Sequence, residues 1–131
     1  MTLVFVGNVE ARELALLSDV AARQVVSPFD LEINAGAYFK RNRIASAGPA
    51  SPPGVLTDLV AGLQGSLRSS AIAYDARPYV PHVTLLRDAR QAPPPLIEPP
   101  LAWRVEALCL VRSQPGVAGV TYEVVARSLS A

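Results

Sequence analysis

Arg77-Pro78-Tyr79-Val80-Pro81-His82-Val83-Thr84-Leu85-Leu86-Arg87 contains the only histidine in the chain. Proline disfavours helical backbone in the residue before it, so Ala76-Arg77 and Val80 are expected to be extended. His82 to Leu86 then reads as a short strand. Side chains alternate along a strand, so His82 and Thr84 share one face while Val83 and Leu85 form an apolar face opposite. Arg87 follows where the strand should end. An imidazole, a hydroxyl and a guanidinium this close together suit a phosphoryl group: two can hold it and one can move a proton. Taken alone the stretch is also compatible with a plain domain, because a lone histidine is most often a surface or satisfied core residue.

The bulk composition narrows the classes. A chain of 131 residues with 50% hydrophobic and 18% charged residues reads as one compact domain spanning 1–131. The net charge of +1 gives no whole-surface signature for nucleic acid, so any anion site must be local. Lys40 is the one lysine; every other basic residue is arginine, a bias that a GC-rich genome also produces. One cysteine, Cys109, excludes an intrachain disulfide and a cysteine metal cluster. It lies in an apolar strand-like run and is expected in the core. With one His and one Cys no metal site is expected, and no cofactor. No apolar run approaches membrane-spanning length. Met1 to Val6 lacks the basic flank and length of a secretory leader, so a cytoplasmic location is expected.

Read in order, Thr2 to Val6 is β-branched and aromatic and is expected to be a strand stopped by Gly7-Asn8. Asn8 is the expected cap of a helix running to about Arg23, with Glu10 and Glu13 at its positive end and Ala11, Leu14, Leu17, Val20 and Ala21 facing the core. Ser27-Pro28 breaks it. Phe29, Leu31 and Ile33 alternate with Asp30, Glu32 and Asn34, a half-buried strand that Gly36 is expected to turn. Lys40, Arg41 and Arg43 could touch a polyanion, although three basic residues are more often a solvated turn. Ile44 to Ala47 is a short strand ended by Gly48-Pro49. Ser51 is the expected cap of a second helix with Pro52 and Pro53 in its first turn. Val55, Leu56, Leu59, Val60, Leu63 and Leu67 form its apolar stripe. Gly62 and Gly65 weaken that helix or mark close packing, and Ser69-Ser70 ends it.

Beyond the histidine stretch, Ala92-Pro93-Pro94-Pro95 and Pro99-Pro100 read as a stiff surface loop. Trp103 to Val111 is a long strand, Gln114 to Gly119 a turn, and Val120 to Ala126 a partner strand with Tyr122, Val124 and Ala126 on one face. No glycine-rich phosphate loop follows any strand. The order argues for an α+β sandwich with antiparallel sheet rather than a doubly wound nucleotide fold.

Thr2-Leu3-Val4 repeats the start of Thr84-Leu85-Leu86. With Met1 set against Val83, the counterpart of His82 falls one place before Met1. Pro81-His82-Val83-Thr84-Leu85 with Arg87, the run Thr2 to Val9, and the closing segments Trp103 to Ser113 and Tyr122 to Arg127 together resemble the two-histidine phosphoesterases. Within them the chain is similar to the bacterial RNA 2′,3′-cyclic phosphodiesterases, also called 2′-5′ RNA ligases, over essentially its whole length.

That resemblance implies a pseudo-two-fold α+β fold of antiparallel sheets, two flanking helices and a closing hairpin. It implies metal-independent hydrolysis of 2′,3′-cyclic phosphate RNA ends, tRNA halves or cyclic nucleotides among the substrates, to 2′-phosphates. His82 becomes a general acid or base, Thr84 and Thr2 phosphate-binding hydroxyls, and Arg87 a phosphate anchor. Tyr79 is a candidate for stacking on a base, although an aromatic beside a strand is more often core. The family's first histidine is not among these residues. The resemblance therefore implies a chain shortened at its N-terminus, a histidine encoded immediately before Met1, impaired activity, and an open sheet edge through which two copies could pair. A domain that binds RNA ends or nucleotide phosphates without turnover is the alternative, and a structural or partner-binding domain in which His82 has no special role is a third.

Overall fold

The computed structural model describes all 131 residues, and two helices, α1 (Ala11–Arg23) and α2 (Gly54–Ser69), organise it. Helix α1 starts at Glu10 rather than Asn8: the Glu13 carboxylate accepts the Glu10 backbone N–H at 2.9 Å, closing a capping box. Helix α2 starts after Pro53, with no side-chain cap, so Ser51 does not cap it. The reason is local, since a residue before proline is pushed out of helical backbone and Pro52 precedes Pro53. Leu17 and Ala21 of α1, and Leu56, Val60 and Leu67 of α2, are buried as their spacing requires, whereas Val55 is exposed. A Cβ added at Gly62 would meet nothing within 4 Å, so this glycine is not a packing device.

The main sheet has the order β4-β3-β2-β5, all antiparallel: β2 (Phe29–Phe39), β3 (Ile44–Gly48), β4 (Val83–Leu86) and β5 (Leu96–Val105). A ribbon of β6 (Cys109–Gly116) and β7 (Gly119–Arg127) stands apart from it, and a short parallel pair joins β1 (Val25–Val26) to β8 (Leu129–Ser130). Helix α1 lies against the ribbon. Leu56 of α2 joins Leu31, Ile33 and Ala47 of the main sheet in the larger core cluster, and Leu17, Leu67 and Ile72 form a second one. Neither helix is long and apolar enough to cross a membrane.

Six further sequence expectations change. Thr2 to Val6 is not a strand: Phe5 C=O accepts the Asp75 N–H at 2.8 Å, and no β ladder extends from that contact. Met1 and Leu3 pack on the larger cluster and Val4 and Val6 on the second, so burial explains these apolar residues, while Phe5 is exposed. Gly36 does not turn the chain but lies inside β2, where a Cβ would collide with the Pro94 carbonyl oxygen. Pro99-Pro100 belongs to β5 rather than to a loop, as an edge strand allows. Trp103 to Val111 is two strands in two sheets. Leu108 and Ser128 tie the chain down between them: Leu108 N–H donates to Ser128 Oγ and Ser128 N–H to the Leu108 carbonyl, both at 3.0 Å. Cys109, just beyond, is exposed rather than buried. A register shift between Val124 and Ala126 also moves Ala126 off the face that Tyr122 and Val124 share.

Candidate active site

Pro81 is buried, and its carbonyl oxygen lies where a Cβ of Gly48 would otherwise be. The chain before β4 can therefore run flush against the end of β3. In β4, Val83 pairs with Ala47 and Thr84 with Ser46, and Ser46 in turn pairs with Ala37 of β2. Directly paired residues share a face, so Thr84, Ser46, Ala37 and, two residues on, Phe39 lie on one side. The His82 ring meets the Phe39 ring at a centroid distance of 5.2 Å and a tilt of 59°, which puts His82 on that side too. The expected common face of His82 and Thr84 is therefore present. The expected apolar back of the strand is only half present. Val83 is half-buried, while Leu85 falls at a register shift and is 59% exposed.

His82 Nδ1 lies 2.7 Å from the Val80 carbonyl oxygen. A carbonyl can only accept, so Nδ1 carries the hydrogen and the neutral ring presents its lone pair at Nε2. Pro81 fixes the extended backbone of Val80 that aims this carbonyl. The sequence thus orients the imidazole with two residues, and leaves one nitrogen free to take or give a proton.

Arg87 follows β4, is exposed, and has no carboxylate within ion-pair distance. The backbone around it is clamped. Ala89 N–H donates to the Arg43 carbonyl at 2.8 Å, Tyr38 O–H donates to the Ala89 carbonyl at 2.8 Å, and Arg43 pairs with Asp88. Arg43 and Asp88 both take left-handed backbone, φ 50° and 53°. Such backbone costs a non-glycine residue about 1 kcal/mol or more, so the clamp holds a strained junction in place.

Thr2 is exposed between Met1 and Leu3, which turn into the core cluster. Its neighbour Met1 reaches the histidine segment directly: Tyr79 O–H donates to Met1 Sδ at 3.4 Å. Tyr79 itself packs against the larger cluster, and burial pushes its phenol up to about 12. The aromatic ring beside the imidazole is instead Phe39, which sequence reasoning missed. Its only signal was adjacency to the basic turn. Asp75 accepts hydrogen bonds from Arg77, which hold its carboxyl below the usual range and shape the turn before Pro78. A hollow of about 230 Å³ between α2 and residues 76–79 is lined by Thr57, Gln64, Arg77 and Tyr79 and does not include His82.

The antiparallel sheet thus brings a backbone-oriented histidine, a threonine two residues on and an unpaired arginine to one strand and its end. The 2′-5′ RNA ligase superfamily model matches residues 1–116, and the chain belongs to that family. The chain is 36% identical over 98 residues to the RNA 2′,3′-cyclic phosphodiesterase of Escherichia coli K12, a match covering 72% of this chain and 56% of the relative. It therefore spans little more than half the length of that curated relative. Among solved structures, one described as a phosphoesterase superposes with a TM-score of 0.87 at 30% identity, over 99% of this chain and 76% of the other. E. coli LigT complexed with 3′-AMP superposes with a TM-score of 0.84 at 30% identity, over 96% and 73%.

Proposed function

We propose that this chain is a 2′,3′-cyclic phosphodiesterase acting on RNA ends, with His82 as its proton-transfer group. The observation that carries this reading is the Nδ1 contact to the Val80 carbonyl, which leaves Nε2 free on the face shared with Thr84. In the reaction a water oxygen bonds to phosphorus, the bond from phosphorus to the 3′ oxygen breaks, and the 2′ ester remains. Water loses a proton and the departing 3′ oxygen gains one. Nε2 can serve either transfer, because an imidazole nitrogen both accepts and donates a proton. Thr84 and Arg87 donate to the non-bridging oxygens, and Thr2 has the same role from the N-terminal segment. The name of the E. coli relative, and a LigT complex holding a nucleoside monophosphate, support the substrate class.

These residues supply one imidazole for two proton transfers. We expect turnover to be lower by roughly 10²–10⁴ than with a second imidazole in the cleft. A cytoplasmic location accords with an RNA substrate, and pairing of two copies along the free edges of the β6–β7 ribbon is part of the same reading; concentration-dependent light scattering tests the latter. The decisive test is hydrolysis of a nucleoside 2′,3′-cyclic phosphate by the wild-type chain and by His82→Gln. Loss of roughly 10²–10⁴ in rate is expected. Equal rates would assign His82 no catalytic part.

A further inference from the structure

The β2–β3 turn carries Lys40, Arg41 and Arg43, and the clamp described above brings it against the segment that carries Arg87 and Arg90. These two short segments hold five of the chain's twelve basic residues and, in Asp88, one of its eleven acidic ones. In a chain of net charge +1, five cations therefore lie at one end of one sheet, where Phe39 leads into the turn and reaches the His82 ring with its own. Asp88 neutralises Arg43 alone; Lys40, Arg41, Arg87 and Arg90 have no carboxylate partner. All are exposed. A solvated turn would not need to be fastened by three separate contacts or to sit beside an aromatic ring that is 37% exposed.

We infer that this corner is a single-strand RNA track. Phe39 is the platform on which the base of the terminal nucleotide stacks, and Lys40 and Arg41 bind the phosphates upstream of it. The inference rests on the phosphodiesterase reading and adds to it a preference for polynucleotides over mononucleotides. Stacking on an aromatic ring needs no particular base, and cationic turns follow a phosphate backbone without reading sequence. The track is therefore sequence-tolerant. Phe39 also packs on the imidazole, so a stacked base would leave the terminal ribose next to His82 Nε2.

Fluorescence anisotropy tests it on the full chain, with adenosine 2′-monophosphate and a short oligoadenylate ending in the same 2′-phosphate as probes. The oligonucleotide is expected to bind more tightly and to lose affinity more steeply with salt. In the Lys40→Gln/Arg41→Gln double variant the ratio of oligonucleotide to mononucleotide affinity should fall several-fold. Its salt slope should drop by about 0.7 for each phosphate contact removed. Arg12→Gln, on the exposed face of α1, controls for the mere loss of a positive charge and should leave that ratio where it is. Phe39→Leu keeps an apolar contact to His82 but removes the stacking face, and should weaken both probes by about tenfold. Equal affinity and equal salt dependence for the two probes would overturn the track while leaving the phosphodiesterase reading intact. Binding of neither probe would overturn both.

Discussion

The β2–β3–β4 side of the main sheet and the β6–β7 ribbon are both antiparallel and both rich in β-branched or small apolar residues, yet they are held differently. Beside the site, Ala45, Ser46 and Ala47 are buried, and Gly36 and Gly48 let two proline segments lie directly on the strands. Hydrogen bonds and an ion pair then bind the turn to the chain beyond β4. On the ribbon, Val111, Val120, Tyr122 and Val124 form one face and are between 46% and 73% exposed. The opposite face carries the Arg112–Glu123 pair and, at its base, Leu110 and Ala126, which pack on the core. Alternation specifies that a strand has an apolar face; it does not specify what covers that face. The candidate site lies on the part of the molecule whose backbone is over-determined, which is what holding an imidazole in one orientation requires.

That contrast can be broken by substitution. Gly48→Ala would force a Cβ into the Pro81 carbonyl and part the strand from the histidine segment. A loss of about 2–3 kcal/mol in urea unfolding is expected, and a neutral result would show that the close approach is dispensable. Alkaline pH attacks the same region through Tyr79. Its phenol is raised to about 12 from an ordinary value of 10, so the fold favours the neutral ring. The stabilisation is complete below pH 10 and is lost as pH rises through about 12. The ring is only partly buried, so solvent screening keeps the effect below about 2 kcal/mol. Tyr79→Phe should flatten the stability profile in that window, and an unchanged profile would place the alkaline transition elsewhere.

Smaller effects are expected away from the site. Gly62→Ala in α2 has open space for its methyl and should stabilise the protein by up to about 1 kcal/mol, read from the thermal midpoint. Destabilisation would reveal a contact that the helix face does not show. On the ribbon, Tyr122→Thr should change stability by no more than about 0.5 kcal/mol, because that face covers nothing. A larger loss, growing with dilution, would mean that another surface lies against it.

The helices were legible because their signals are local. A 3.6-residue stripe places Leu17, Ala21, Leu56, Val60 and Leu67 inward wherever the helix docks, while the caps at Asn8 and Ser51 and the first-turn residues Ala11 and Val55 were misplaced. The β-strands were legible as extended chain but not as partners. Thr2 to Val6 has strand composition without a ladder, and Trp103 to Val111 reads as one strand although two buried hydrogen bonds between Leu108 and Ser128, 20 residues apart, divide it. Gly36 looked like a turn because its reason lies with Pro94, far along the chain.

The sequence by itself determined the chemistry on offer: one imidazole, a threonine two residues on, an arginine at the strand end, and the family those residues belong to. Each of these is written in a few consecutive residues, where backbone geometry alone sets which side chains share a face. Only the tertiary structure decided that Phe39 rather than Tyr79 stands beside His82 and that the basic turn joins the segment of Arg87. Those facts depend on contacts between segments about 40 residues or more apart, and no local pattern encodes a register between strands that have yet to meet.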